Sequence, residues 1–464
     1  MSTTPYWQET LAPVVPGPPL DGDVTCDVCI VGGGGTGLWT AHALKEAEPS
    51  MDVRILEAGT VGLGASVHGG GFVTLAGAKV LRRLLWYYGT TKAAGVYKAV
   101  AKSMLEIGRF CRKNGIDAEY ERTGILQVVT DTKQLARLQL QVDRARKLGM
   151  DGSMTVYDAE EARERIGSPT VLGGMTAFGA VVNPHKLVQG LAGVVRAQGA
   201  VIHEQTPALD VRKIDGKFQV STPHGVVTAR EVVLATNAWQ HTFSEMTDRV
   251  MPVWNHLLVS EPLTGEQLAR VPWPGREPVS NMRSFFFTTR LTQDNRVIWT
   301  GGRWHYRPGR DMAPENARNP EAYRELRTAF DAFFPAWHDV RMSHANGACI
   351  GWSHSFIPQF GRTSSGLLYG HGYTGAGLAA SHAGGRILRD LILHRASEYT
   401  ELAYVTVNQP KFMPGKFGDR GADFFVWRQR TGDRIPLLLP HRAALSSRSF
   451  FNRHRRGPAE RAGS

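Results

Sequence analysis

The chain has little cysteine. Four residues in 464, Cys26, Cys29, Cys111 and Cys349, are too few to staple a chain of this length and fit a reducing compartment. Cys26 and Cys29 form a C-x-x-C inside an apolar run, but no second pair accompanies them. Two half-buried strand residues are therefore expected rather than zinc or dithiol chemistry, and no metal-ligating constellation is visible elsewhere. Long apolar runs are missing too: none approaches the roughly eighteen residues a membrane helix needs, so no membrane insertion is expected. The opening MSTTPYWQETLAPVVPGPPLDGD lacks a charged n-region, an apolar core and a cleavage site. It does not read as a secretory leader, and a cytoplasmic location is expected. Internal repeats and low-complexity segments are absent as well.

What is present is an ordinary globular composition, 42% hydrophobic and 21% charged, in a chain long enough for two or three packed units and a deep cavity. The net charge of +12, from 54 basic and 42 acidic residues, raises the question of nucleic acid. The densest basic run, RSFFNRHRRGPAERAGS, closes the chain and reads as a solvated tail. No nucleic-acid partner is expected, and a mildly basic body favours anionic ligands. Nothing in the sequence fixes an oligomeric state.

The first chemical motif is CDVCIVGGGGTGLWTAHAL. An apolar run of strand character turns through glycines and continues with Leu38, Ala41 and Leu44 at helical spacing. Gly32, Gly34 and Gly37 fit G-x-G-x-x-G: one for a tight turn, one for backbone approach to a pyrophosphate, one for close helix packing. That pattern alone is weak. A second strand, MDVRILE, ends in Glu57, twenty positions after Gly37, where a carboxylate accepts from both ribose hydroxyls and repels a 2′-phosphate. The pair points to FAD or NAD. The glycine-rich GASVHGGGF follows shortly after, and there Gly64, Ala65, Ser66, His68, Gly69 and Gly70 let the backbone pass close to a cofactor.

From here the chain resembles the FAD-dependent D-amino acid oxidase and glycine oxidase superfamily, and within it the γ-glutamylputrescine oxidase-like enzymes. The resemblance runs from PYW near the start to about residue 400. It is carried by DVCIVGGGGTGL, LEAGTVGLGAS, VVNPHKLVQGLA, EVVLATNAW, VMPVWNHLLVSEPL, RVIWTGGR and IPQFGRTSSGLLYGHGYTGAGLAASHAGG, in the family's order. It implies an α/β fold with a discontinuous Rossmann-type FAD-binding domain and a substrate domain of antiparallel β-sheet plus helices. Ala208, Ala235 and Thr236 are then expected beside the cofactor, as are Gly372, Thr374, Gly375 and Gly377. Backbone N–H groups of Tyr373 to Gly377 would face the flavin's N1/C2 carbonyl region.

The expected division is an extended N-terminal segment at 1–22, FAD-binding stretches at 23–84, 176–249 and 345–398, and cap stretches at 85–175 and 250–344. A C-terminal extension at 399–444 and a basic mobile tail at 445–464 follow. Around KAVAKSMLEIGRFCRK and QLARLQLQVDRARKL the pattern is that of amphipathic helices, whereas 250–305 reads as strands. Asp294 and Asn295 suit a hairpin turn. Asn183 and Pro184 suit a helix start, with Leu187, Leu191 and Val195 as its apolar face.

The resemblance implies oxidation of an amine, by hydride transfer from the carbon next to nitrogen to flavin N5, giving an imine and, with dioxygen, hydrogen peroxide. Alternatives are a flavin dehydrogenase or hydroxylating enzyme with another acceptor, or a non-catalytic flavin-binding subunit. His371 and Tyr373 head the expected catalytic wall, with His256 and Arg303; Trp254 and His354 are further wall candidates. Glycine and D-amino acid oxidases clamp a substrate carboxylate with an arginine at a position that falls here on Ile350. A simple α-amino acid loses its usual anchor, and a secondary or otherwise amino-acid-like amine with an anionic group elsewhere fits better. Arg283, Arg303 and Arg362 are available to meet such an anion or to form structural pairs. His68 matches the position at which dimethylglycine dehydrogenase-like enzymes tether the flavin, so it is either a covalent anchor or a non-covalent contact. Cys349 lies near the tethering position of monomeric sarcosine oxidase, or is simply a buried thiol.

Overall fold

In CDVCIV, apolar residues on both faces suit a strand covered on both sides, and the computed structural model places β1 (Val24–Val31) in the middle of a sheet. Residues 1–74, 78–150, 154–283, 285–405, 410–413, 417–422 and 424 are described. β1 pairs in parallel with β2 (Val53–Leu56) on one side and with Gly225–Leu234 on the other. Val201–His203 extends the sheet beyond β2, and Leu368–His371 then Gln359–Arg362 extend it beyond Gly225–Leu234. Cys26 and Cys29 are fully buried in β1 rather than half-buried, and burial pushes the Cys26 thiol up to about 12.

The helix α1 (Gly35–Ala47) follows β1 directly. Pro184–Ala197 begins at Asn183, whose side chain accepts from the N–H groups of His185 and Lys186. This offsets two of the donors that a helix start leaves unpaired, and Leu187, Leu191 and Val195 are buried beneath it.

A second eight-stranded sheet runs Met342–Trp352, Met251–Ser260, Val297–His305, Phe287–Leu291, Val279–Asn281, Ile125–Val128, Gly174–Ala177, Thr155–Tyr157. Its pairings are antiparallel except that between Val279–Asn281 and Ile125–Val128. The hairpin between Phe287–Leu291 and Val297–His305 turns at Asn295, whose φ of 60° is tolerated by asparagine. Two helical stretches flank this sheet in sequence: Ala78–Lys113, broken at Gly89, and Thr132–Lys147.

Met342–Trp352 crosses the division expected at 344/345. It pairs along nearly its whole length with Met251–Ser260, because its buried apolar run completes the second sheet, and its last two residues touch the first domain, through the Thr374 N–H donating to the Gly351 carbonyl at 3.1 Å and a bridge between Trp352 and Tyr373. The N-terminal segment is likewise not simply extended. Tyr6–Thr10 forms a short 3₁₀ turn that buries Trp7 against Leu257, Val259 and Ile298 of the second sheet.

After residue 400 the chain packs on the body: the Phe360 N–H donates to the Tyr404 carbonyl at 2.9 Å, and Phe412 lies 5.0 Å from Trp352 between ring centroids. The basic tail expected from 445 lies outside the described residues. Among the described residues, no helix is long and apolar enough to cross a membrane, and no group of three or more His, Cys, Asp or Glu is placed to hold a metal ion.

Candidate active site

The turn from β1 into α1 is as tight as its glycines allow. Gly32 has φ 110° and packs on the Ala235 carbonyl. A Cβ on Gly37 would sit 2.0 Å from the Gly32 carbonyl oxygen, so only glycine lets the helix start lie against the strand end. α1 begins without a side-chain cap, which leaves the positive end of its dipole for an anion. The Ser66 hydroxyl accepts from the Gly35 N–H at 3.1 Å and ties the second glycine-rich stretch to this helix start.

A cavity of about 1280 Å³ opens here and is lined from both sheets. At its nucleotide end, Glu57 accepts from the Gly33 N–H at 2.8 Å through one oxygen and from the Gly59 N–H at 3.0 Å through the other. Burial raises its carboxyl pKa, against the pull of these N–H donors. Gly32, Gly34, Gly64, Ala65, Ser66, His68, Gly69 and Gly70 line the same cavity, as do Ala208, Ala235, Thr236, Thr374, Gly375 and Gly377. Gly37 and Gly372 do not. They shape the wall from behind, Gly37 by its packing on Gly32 and Gly372 by donating its N–H to the Asn237 side chain at 3.3 Å.

This donor set suits FAD. The hydroxyl of Thr236 and Nδ1 of His68 are buried without a partner, the uncapped α1 can meet a pyrophosphate, and Glu57 can take ribose hydroxyls. Burial holds His68 below the usual histidine range, against contacts to the Leu63 and Gly347 backbone, so its ring is neutral.

Of the four expected catalytic side chains, only Tyr373 is on the cavity wall. Its hydroxyl lies 2.6 Å from Thr36 Oγ1 of α1, and burial drives its pKa far up, leaving it protonated. His371 is fully buried between Gln240, 2.7 Å from Nδ1, and Gln359, 3.2 Å from Nε2. Burial and the nearby Arg249 push its pKa down to about 3. It is a neutral ring holding Leu368–His371 to the segment after Gly225–Leu234.

His256 bonds the Asn316 carbonyl at 3.3 Å and packs edge-on against His305; burial pushes its pKa down to about 4. Together with Arg303 it lines a separate pocket of about 30 Å³. Arg303 itself pairs with Glu321 at 3.1 Å and Glu325 at 3.5 Å. The strand pleat explains this separation, because neighbouring residues on one strand face opposite sides.

The same alternation decides Cys349. Ala348 and Ile350 line the cavity, whereas Cys349 packs with Trp254 and Ala238 on the other face, and burial pushes its thiol up to about 12. Trp254 donates to the Asp311 carbonyl at 3.3 Å, His354 packs against Phe412, and Arg362 pairs with Glu231 at 2.6 Å. None of these three lines the cavity.

Sequence reasoning missed much of the far wall. Trp304 stacks on Phe356 with centroids 5.7 Å apart and meets Phe285 edge-on at 5.9 Å; all three line the cavity near Ile350, and Asn255, Arg137 and Arg144 line it as well. Trp304 stands next to the RVIWTGGR motif, which was the one available signal. Arg137 and Arg144 belong to a helix whose polar face reads, in sequence, like any solvated surface.

The chain that builds this cavity, with a Rossmann turn on one side and a second sheet on the other, is similar to known proteins. The DAO family, described as FAD dependent oxidoreductase, matches residues 27–391. The chain is 29% identical over 444 residues to gamma-glutamylputrescine oxidoreductase of Escherichia coli (strain K12), covering 93% of this chain and 99% of that protein. The solved glycine oxidase from Geobacillus kaustophilus superimposes with a TM-score of 0.68 at 19% identity, over 83% of this chain and 100% of its own. The L-proline dehydrogenase from P. horikoshii does so with a TM-score of 0.68 at 17% identity, over 83% and 96% respectively. At these identities the two structures speak for the fold. The family match spans the β1 turn, Glu57, both sheets and the Tyr373 loop, and the chain belongs to the DAO family of FAD-dependent oxidoreductases.

Proposed function

We propose that the protein is an oxidase of a secondary amine or an amino-acid-like amine, removing a hydride and a proton across the C–N bond to leave an imine, with dioxygen reduced to hydrogen peroxide. When bound, FAD supplies the hydride acceptor at its N5. The chain's own residues bind, orient and exclude water: Tyr373, Ile350, Trp304 and Phe356 line the cavity and belong to one apolar cluster, which suits a C–H donor that needs alignment more than it needs a strong base.

The observation that carries this reading is the chemistry of the wall. Glu57 is the one carboxylate among the described lining residues, and it is occupied at the nucleotide end. An ammonium in the apolar region would find no carboxylate among the described residues to pair with and would lose its hydration, so in this reading the amine is held neutral, with its lone pair available as the hydride leaves. Ile350 in place of an arginine argues against a carboxylate beside the reacting carbon. The name of the Escherichia coli relative, gamma-glutamylputrescine oxidoreductase, supports an amine substrate of that kind. His68, with its unpartnered Nδ1 on the wall, is assigned to the flavin as a tether or as a contact, and the mass of the denatured chain separates the two.

A peroxide-coupled screen of purified, FAD-loaded protein against polyamine conjugates, N-alkylated amino acids, aminophosphonates and D-amino acids tests the reading. Turnover is expected in the first three groups. Activity confined to ordinary D-amino acids would overturn the inference from Ile350, and protein that holds no FAD would overturn the whole reading.

A further inference from the structure

The cavity wall carries five arginines among its described residues. Arg82, Arg83, Arg137, Arg144 and Arg283 line it. Arg83 is engaged, donating to the His354 carbonyl at 2.5 Å and lying 4.4 Å over the Phe356 ring. Arg137 donates to the Met282 carbonyl at 2.9 Å. Arg82 and Arg144 are different: no ion pair or hydrogen bond is made by either among the described residues.

Arg144 lies on Thr132–Lys147, seven positions after Arg137 and three after Gln141, all three on the cavity side, as helical spacing requires. It is half-buried, while the adjacent Arg146 and Lys147 are exposed. Burial and then the charge of Arg82 hold its pKa below the usual arginine value, opposed only by Tyr97. Burial likewise lowers Arg83, and Arg82 adds to that effect. Like charges gathered on one wall, with no carboxylate paired to Arg82 or Arg144 among the described residues, are unfavourable unless an anion joins them.

Resting on the amine-oxidase reading, we infer that Arg82 and Arg144 form an oxyanion subsite of the substrate cavity. It takes a carboxylate or phosphonate set several bonds away from the nitrogen that is oxidised. Guanidinium groups suit either oxyanion through paired N–H donors. The apolar surroundings of Ile350 place no such anchor beside the reacting carbon, whereas Arg82 and Arg144 lie on the helical stretches Ala78–Lys113 and Thr132–Lys147. The substrate class is therefore an amine with a remote acidic group, bound nitrogen toward the flavin and anion toward the cap helices.

Binding of two non-oxidisable probes, glutarate and methylphosphonate, to the FAD-loaded full chain tests this by calorimetric titration. Wild-type protein is expected to bind at least one of them; the stronger of the two identifies the oxyanion. Arg144→Gln and Arg82→Gln should each weaken that probe about tenfold or more, with Arg144→Lys intermediate and FAD content unchanged in all. Arg82 is exposed, so its variant reports even if Arg144→Gln does not fold. Failure of both probes to bind wild type, equal binding by wild type and the glutamine variants, or loss of FAD in Arg82→Gln would each overturn the subsite. Because the probes need no turnover, a protein that oxidises no amine but loses glutarate binding in these variants would keep the subsite and refute the amine reading instead.

Discussion

The indole N–H of Trp7 donates to the carbonyl of Gly69 at 2.8 Å, across 62 positions of sequence. A residue that is 2% exposed thus holds the backbone next to His68, and Arg290 lies 5.5 Å over the same indole. The N-terminal turn is a clasp on the second glycine-rich stretch. Trp7→Phe keeps most of the packing and removes the donor, so a part-buried hydrogen bond worth about 1 kcal/mol is lost while the exposed Gly69 turns to water. The expected result is a flavin-to-protein ratio that falls on dialysis and an FAD dissociation constant raised roughly tenfold, measured by fluorescence titration of the apoprotein. Unchanged FAD retention would sink the clasp.

Gly37→Ala should be far more damaging than its single methyl suggests. Its Cβ would meet the Gly32 carbonyl at 2.0 Å, and both atoms are backbone-fixed, so α1 must retreat from the strand end. A loss of about 3 kcal/mol or more is expected, with FAD binding abolished. Thermal unfolding and the visible spectrum of the purified variant check it. By contrast, Gly193→Ala, on the helix Pro184–Ala197 away from the cavity lining, where nothing lies within 4 Å of the added atom, should keep both.

Tyr373→Phe separates positioning from chemistry. Its hydroxyl is bonded to Thr36, so removal should lower stability by about 1 kcal/mol and kcat less than tenfold. A pH–rate profile of unchanged shape is expected, because the buried phenol does not titrate in the working range. A thousandfold loss of kcat, with KM unchanged, would show instead that the hydroxyl acts on the substrate.

Acid should destabilise the fold through buried neutral histidines. His256 and His371 have folded pKa values pushed down to about 4 and about 3, below the roughly 6.5 of an unfolded histidine. As pH falls from 6.5 toward those values, the unfolded chain takes up protons that the fold refuses. Each then weakens folding by about 1.4 kcal/mol per pH unit, and above pH 6.5 neither contributes any slope. Denaturant midpoints between pH 7 and pH 5 should fall in wild type and fall less steeply in His256→Gln. Parallel slopes would mean that His256 accepts its proton inside the fold.

What was legible in the sequence was what is local. The β1 turn, Glu57 at the end of β2 and the Asn183 cap each lie within one short stretch, where spacing and residue type fix the geometry. His371 and His256 stand off the cavity lining, because motif proximity does not say which way a side chain faces. Gln240 and Gln359, 131 and 12 positions from His371, claim its ring, and the pleat turns Cys349 away while Ile350 faces inward. Trp304, Phe356 and Arg144 join the wall only through tertiary packing.

The contact between Thr36 and Tyr373 spans 337 positions, and this sets a schedule for synthesis. A ribosome releases the nucleotide-binding turn early, yet the Tyr373–Gly377 stretch of the cavity wall emerges only after four-fifths of the chain has been made. Until then the Rossmann start has no partner for Thr36, and the central sheet lacks the strands Gln359–Arg362 and Leu368–His371. Flavin capture therefore belongs to the end of translation, and a nascent chain stalled before this loop would expose an open, glycine-rich cleft to quality control.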